Sequence, residues 1–181
     1  DDNMFNIITE FADGDLESWV KDSHTDDEWM NMIFQFIIGV HVVQKYFKGF
    51  HSDLKPKNIL LTNNRKTIKI ADFGFATKCD IHGRQLLREC VGTPLYMAPQ
   101  LLERGPYTAK SDIWSIGLMV YEMLYGHQPW PCRDLNSYVL NMKNMPLRFP
   151  FDKPTSEEMK DFIRRCLKVE ESQRLGWDDV F

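Results

Sequence analysis

His51-Ser52-Asp53-Leu54-Lys55-Pro56-Lys57-Asn58, followed a short way on by Asp72-Phe73-Gly74, is the stretch around which the chain is organised. In chemical terms it offers a carboxylate (Asp53), a cation two residues later (Lys55) and an amide oxygen (Asn58). A second carboxylate, Asp72, stands on a glycine-containing turn. Phosphoryl transfer draws on this inventory: a carboxylate orients the attacking hydroxyl, a cation offsets phosphoryl charge, and hard oxygen ligands hold Mg²⁺. Between the two motifs, Ile59-Leu60-Leu61 and Ile68-Lys69-Ile70 are β-type runs joined by the polar turn Thr62-Asn63-Asn64-Arg65. That pattern predicts a hairpin. Oxygen ligands carried at the ends of one hairpin can converge on one metal ion.

Upstream, Phe5 to Phe11 is apolar and β-branched and reads as a strand, broken by Ala12-Asp13-Gly14-Asp15. Leu16 to Lys21 suits a short helix. Asp26 and Asp27 open a longer one, acidic where the helix dipole favours it. Its apolar positions Ile33, Phe36, Ile37, Val40 and Val43 recur at helical spacing and predict core packing, with an end near Lys48-Gly49. Downstream, Phe75 to Pro99 has little periodicity and is long for a structureless loop, which points to function or disorder. Asp112 to Tyr125 is apolar nearly all round and predicts a buried central helix, capped by Ser111 and stopped by Gly126. A weaker helix is expected over Asp134 to Lys143. Thr155-Ser156-Glu157-Glu158 reads as a capping box for a helix through Val169, with Met159, Phe162, Ile163 and Cys166/Leu167 as its stripe. Trp177 to Phe181 is expected to start one more.

Composition narrows the function classes. The chain has 181 residues, enough for one domain with a sizeable core. Its net charge of -4 leaves no broad basic surface, so nucleic acid and anionic membrane are not expected partners. No apolar run is long enough to span a bilayer. The cysteines Cys79, Cys90, Cys132 and Cys166 lie far apart without CxxC spacing and are expected to be free thiols in a reducing compartment. The expected location is the cytoplasm, with the nucleus left open. Asp1-Asp2-Asn3 forms no signal peptide, and a chain that does not begin with methionine is expected to be a fragment.

The HxDxKxxN stretch and the Asp-Phe-Gly turn, in this order and spacing, resemble the catalytic loop and metal-binding turn of protein kinases. The resemblance extends to nearly the whole chain. Gly92-Thr93-Pro94-Leu95-Tyr96-Met97-Ala98-Pro99 is similar to the end of a kinase activation segment. Ser111-Asp112-Ile113-Trp114-Ser115-Ile116-Gly117 resembles the start of the buried helix beneath the active site, and Thr9-Glu10-Phe11-Ala12 the gatekeeper and hinge. Arg174 stands where such proteins carry an arginine paired with the activation segment. Lys55 together with Gly-Thr-Pro-x-Tyr points to the serine/threonine branch. Ile70 to Ala76 and Cys90 to Pro94 are similar to the autophagy-initiating group.

The resemblance implies an α+β fold: the mostly helical large lobe of a kinase with short β-hairpins, residues 15–181, preceded by a hinge-strand remnant, 1–14. It implies ATP and Mg²⁺, and protein substrates with serine or threonine acceptors. Asp53 would accept the substrate hydroxyl's proton, and Lys55 would contact the γ-phosphate. Asn58 and Asp72 would ligate Mg²⁺, and Thr93 would brace Asp53 and Lys55. The Glu10 carbonyl and the Ala12 backbone would bond the adenine edge over a floor made by Leu60. Asp15 would reach the ribose, with Asp13 as its competitor. His51 and Phe73 would stack in the apolar spine of the active state. Asp112 would hold the catalytic-loop backbone. A kinase-fold interaction module without catalysis is the alternative.

Departures from the family pattern carry expectations of their own. Ser52 replaces the arginine that many kinases use to receive an activation-segment phosphate. The only hydroxyl side chains between Asp72 and Pro99 are Thr77, Thr93 and Tyr96. Activation is therefore expected not to need a mid-loop phosphate. Gln100 replaces the glutamate expected to pair with Arg174, so Gln100→Glu is expected to raise the melting temperature. No GxGxxG arrangement and no upstream strand lysine precede the hinge. The N-terminal lobe is thus expected to be absent, and this polypeptide on its own to be inactive.

Overall fold

The computed structural model describes residues 9–78 and 92–180, and the elements below lie among them. In chain order they are β1 (Gly14–Asp15), α1 (Leu16–Trp19), α2 (Asp26–Phe47), β2 (Gly49–Phe50), β3 (Ile59–Thr62), β4 (Thr67–Ile70) and β5 (Thr77–Lys78). Then follow α3 (Pro99–Leu102), α4 (Lys110–Tyr125), α5 (Leu135–Asn144) and α6 (Glu157–Cys166). The result is a mostly helical α+β architecture. A three-stranded antiparallel sheet has the order β1-β3-β4, and a separate two-stranded one pairs β2 with β5.

Local chemistry sets the ends of α2. The Thr25 side chain accepts from the Glu28 amide (3.3 Å) and the Glu28 carboxylate accepts from the Thr25 amide (2.9 Å), a reciprocal capping box. Lys48, left-handed at φ 48°, ends the helix. Met32, Ile33, Phe36 and Val40 are buried along one stripe, and Gln44 continues it as a fully buried polar residue.

The hairpin runs as the sequence pattern predicts, with Ile59 paired to Ile70 and Thr62 to Thr67. Asn63, Asn64 and Arg65 all take positive φ in its turn, which two asparagines tolerate well. Helix α4 is buried on nearly every side at the centre of the core. Gly117 lets α6 approach it: a Cβ there would lie 2.6 Å from Cys166 Cβ. Trp114 stacks on Trp130 with ring centroids 5.8 Å apart.

Several expectations are corrected. Thr9 to Ala12 is not strand, Phe11 is exposed, and the first described strand is β1; residues 5–8 of the expected strand lie outside the described residues, as do Cys79, Cys90 and Phe181. Helix α4 starts at Lys110 after Ala109, so Ser111 lies inside the first turn and does not cap it. Ser156 caps α6 by accepting from the Met159 amide (3.2 Å), and α6 ends at Cys166, short of Val169. Trp177–Asp179 forms one 3₁₀ turn in place of a further helix.

Candidate active site

The catalytic-loop stretch leaves β2 and is fixed first by its backbone. Ser52 takes a left-handed conformation (φ 68°), which a non-glycine residue adopts only when its surroundings enforce it. Asp112, at the start of α4, enforces it. Its Oδ2 accepts from the His51 amide (2.8 Å) and its Oδ1 from the Ser52 amide (3.1 Å). Gln44 Nε2 donates to the same Oδ2 (2.9 Å) and to the Ala109 carbonyl (3.3 Å), while Gln44 Oε1 accepts from Trp177 Nε1 (2.7 Å). Burial pushes the Asp112 carboxyl up, against the N–H donors that pull it back.

Asp53 sits on this braced loop, 4% exposed. Lys55 Nζ donates to its Oδ2 (2.6 Å), and Thr93 Oγ1 donates to its Oδ1 (2.7 Å). Lys55 Nζ also reaches Thr93 Oγ1 (3.0 Å), which closes a triangle across the chain. Burial pushes the Asp53 carboxyl up, but the bonds from Lys55 and Thr93 outweigh it and hold the group below the usual carboxylate range. Asp53 is therefore an anion at neutral pH.

Thr93 reaches this position because Gly92 precedes it. Gly92 has φ +110°, and a Cβ there would lie 2.4 Å from the Ser52 carbonyl oxygen. Only glycine meets both conditions. Beyond it, Tyr138 donates to the Leu95 carbonyl (2.9 Å), Ser115 to the Tyr96 carbonyl (2.8 Å) and Tyr96 Oη to Glu122 (2.6 Å).

Asn58 and Asp72 come to one end of the hairpin. Asn58 precedes β3, Asp72 follows β4, and the Ala71 amide donates to the Asn58 carbonyl (2.8 Å). Asn58 Nδ2 donates to the Asp53 carbonyl (2.9 Å) and to Asp53 Oδ2 (3.2 Å). The amide nitrogen of Asn58 is thus the end of the side chain that these bonds engage. Asp72 is exposed and left-handed (φ 62°), and its carboxylate accepts from the Gly74 amide at 3.4 Å. Among the described residues no cluster of three or more His, Cys, Asp or Glu side chains gathers. Two hard oxygen donors without a protein cage suit Mg²⁺, which keeps waters and phosphate oxygens as its other ligands.

Of the residues expected to face a nucleotide, Leu60 points away from the buried pair Ile59 and Leu61 and stays half-exposed. Glu10 is exposed and its carboxylate pairs with Lys69 on β4, and Ala12 is half-buried nearby in sequence. Asp15 caps α1, its Oδ1 accepting from the Ser18 amide (2.7 Å). Asp13 Oδ2 accepts from the Arg65 amide (3.4 Å). His51 lies against Phe73, ring centroids 4.8 Å apart, and its Nε2 contacts the Ala71 carbonyl (2.8 Å). The middle of the loop after Asp72 lies outside the described residues.

The protein kinase domain family matches residues 1–181. The chain belongs to the protein kinase family. It is 31% identical over 176 residues to serine/threonine-protein kinase 36 of Mus musculus, covering 96% of this chain and 13% of that protein. It is 31% identical over 184 residues to serine/threonine-protein kinase ULK3 of Homo sapiens, covering 99% of this chain and 38% of that one. To serine/threonine-protein kinase atg1 of Dictyostelium discoideum it is 35% identical over 133 residues, 72% of this chain and 19% of the relative. The chain thus spans well under half the length of these relatives.

Two residues that brace this part of the fold escape sequence reading. Gln44 is the inner brace of Asp112. Its signal was present: Phe36, Val40 and Gln44 follow one another at four-residue spacing, so an amide stands where the stripe calls for an apolar residue. Glu171 is the other. It reaches Gln100 and Thr108 from a 3₁₀ turn, and no local pattern marks it.

Proposed function

We propose that the full-length protein is a serine/threonine protein kinase using ATP and Mg²⁺, with residues 15–181 as its large lobe, residues 1–14 leading out of the hinge, and the cytoplasm as its place of action. The observation that carries this reading is the closed triangle of Asp53, Lys55 and Thr93, with Asn58 locked onto it from the hairpin.

In the reaction the acceptor hydroxyl attacks the γ-phosphorus as the bond to the ADP oxygen breaks. Asp53, already anionic, orients that hydroxyl and takes its proton. Lys55 offsets charge on the transferred group, and Thr93 keeps the two side chains in register. Mg²⁺, held by the Asn58 and Asp72 oxygens, would neutralise phosphate charge. The hinge backbone at Glu10 and Ala12, with Leu60 beneath, suits an adenine ring. For the ribose, Asp15 retains an oxygen beyond the one that caps α1, and Asp13 remains its competitor. The test is phosphorylation of a generic serine- and threonine-containing protein by the full-length enzyme. Transfer that is lost on Asp53→Asn, with ATP binding retained, supports the roles. Undiminished transfer by that variant overturns them.

A further inference from the structure

Arg174 is the largest charged side chain in the core, 2% exposed. Its guanidinium donates to carbonyls: Nε to Lys168 (3.1 Å), Nη1 to Lys110 (2.9 Å), and Nη2 to Lys168 (3.1 Å) and Val169 (3.3 Å). Carbonyl dipoles satisfy its hydrogens but do not neutralise its charge. A buried charge without a counter-ion is costly. The carboxylate that meets it is Glu171, whose Oε1 lies 3.9 Å from Nη1.

Gln100 stands between the two. Its Oε1 accepts from Arg174 Nη2 (3.3 Å) while its Nε2 donates to Glu171 Oε1 (3.0 Å). The same Glu171 oxygen accepts from the Thr108 amide (3.1 Å). The amide can do this because it presents an acceptor and a donor on one planar group, which a carboxylate does not. A carboxylate at position 100 would accept from Arg174 but would turn its other oxygen, also an acceptor, on Glu171. The expectation that Gln100→Glu strengthens the contact is therefore reversed: the anion is already present, carried by a different residue.

We propose that Glu171 and Gln100 form a charge-relocated clamp, Glu171 supplying the counter-ion and the Gln100 amide relaying it to Arg174, and that the clamp positions the substrate-side segment carrying Thr93. Gln100 lies in α3, directly after the 92–98 segment that places Thr93 on Asp53. The Thr108 amide on Glu171 ties the far end of the α3–α4 connection to the same point. Gln100 and Glu171 are thus positioning residues. Their effect on turnover rests on the kinase reading above, but the clamp itself does not.

The test is a charge swap in the full-length protein: Gln100→Glu, Glu171→Gln, and the two combined. Melting temperature, amide hydrogen exchange of residues 92–98 against α2, and peptide phosphorylation are read on each. Gln100→Glu alone is expected to melt several degrees lower and to speed exchange at 92–98 with α2 unchanged. Turnover is expected to fall about fivefold with the Michaelis constant for ATP unmoved. The combined variant, which restores one carboxylate and one amide, is expected to recover all three readouts to near wild type. Gln100→Glu melting at or above wild type overturns the clamp, as does a double variant worse than either single one. Recovery of melting with fast exchange persisting at 92–98 overturns the positioning role. A wild-type protein without phosphorylation would sink the kinase reading instead, and melting and exchange would still decide the clamp.

Discussion

Asp53 and Asp72, the two carboxylates of the proposed site, are held in opposite ways. Asp53 is buried and takes hydrogen bonds from Lys55, Thr93 and Asn58. The loop beneath it is pinned to α4 by Asp112, which is itself gripped by Gln44. Asp72 is exposed on a left-handed turn with one long contact, to the Gly74 amide. Phe73 beside it is 46% exposed. The side on which Asp53 is proposed to accept a proton is thus preorganised by the fold. The side on which Asp72 is proposed to meet a metal makes few contacts of its own. Preorganised groups do not have to reorganise during the reaction, whereas a turn that waits for its ligand can gate activity.

The largest effect should come from the rigid side. Asp53→Asn should reduce turnover by about 10³-fold with the Michaelis constant for ATP little changed, read by steady-state kinetics. An equal loss in ATP affinity would place Asp53 on the nucleotide side instead and erase the contrast.

Stability should divide the same way. Asp112→Ala leaves the buried His51 amide, the half-buried Ser52 amide and the Gln44 side chain each one acceptor short, and should cost about 3 kcal/mol in denaturant unfolding. Asp72→Ala should stay within about 0.5 kcal/mol, as exposed substitutions do. Comparable losses would mean that the Asp72 turn is as tightly built as the catalytic loop.

The smallest expected effect is a shift with pH. The lowered Asp53 carboxyl adds stability that is complete above its unfolded value near about 4 and is lost as pH falls through the lower folded value. Thr93→Val removes one donor, so the folded value rises and the window narrows from its acid side. The acid limb of the activity profile should move to higher pH, with turnover down about tenfold. An unmoved limb would assign the lowering to Lys55 alone.

Much of the rigid side was legible as sequence, because its residues are close in the chain and unusual in type. Asp53, Lys55 and Asn58 lie within one short stretch, and the hairpin announces itself by two short strand-type runs around an asparagine turn. The all-round apolar character of α4 marked it as central. What escaped depends on partners far apart in sequence. Ser111 was a sound cap by type, but α4 begins at Lys110, so a good cap residue lies inside the helix. Gln44 meets Asp112 and Trp177 only in the folded chain. Gln100 showed a missing charge, whereas the residue that replaces it, Glu171, sits on a turn without periodicity. A local pattern reveals which charge is absent, and only packing reveals where its substitute lies.

The most direct measurement is Mg²⁺-dependent phosphorylation of a generic protein substrate by the full-length protein, beside Asp72→Asn. Transfer by the wild type that requires Mg²⁺ and is lost in the variant, whose melting temperature is unchanged, is the expected result. Equal transfer by both, or transfer indifferent to Mg²⁺, would contradict the division of the site into a rigid base and an ordered-on-binding metal ligand.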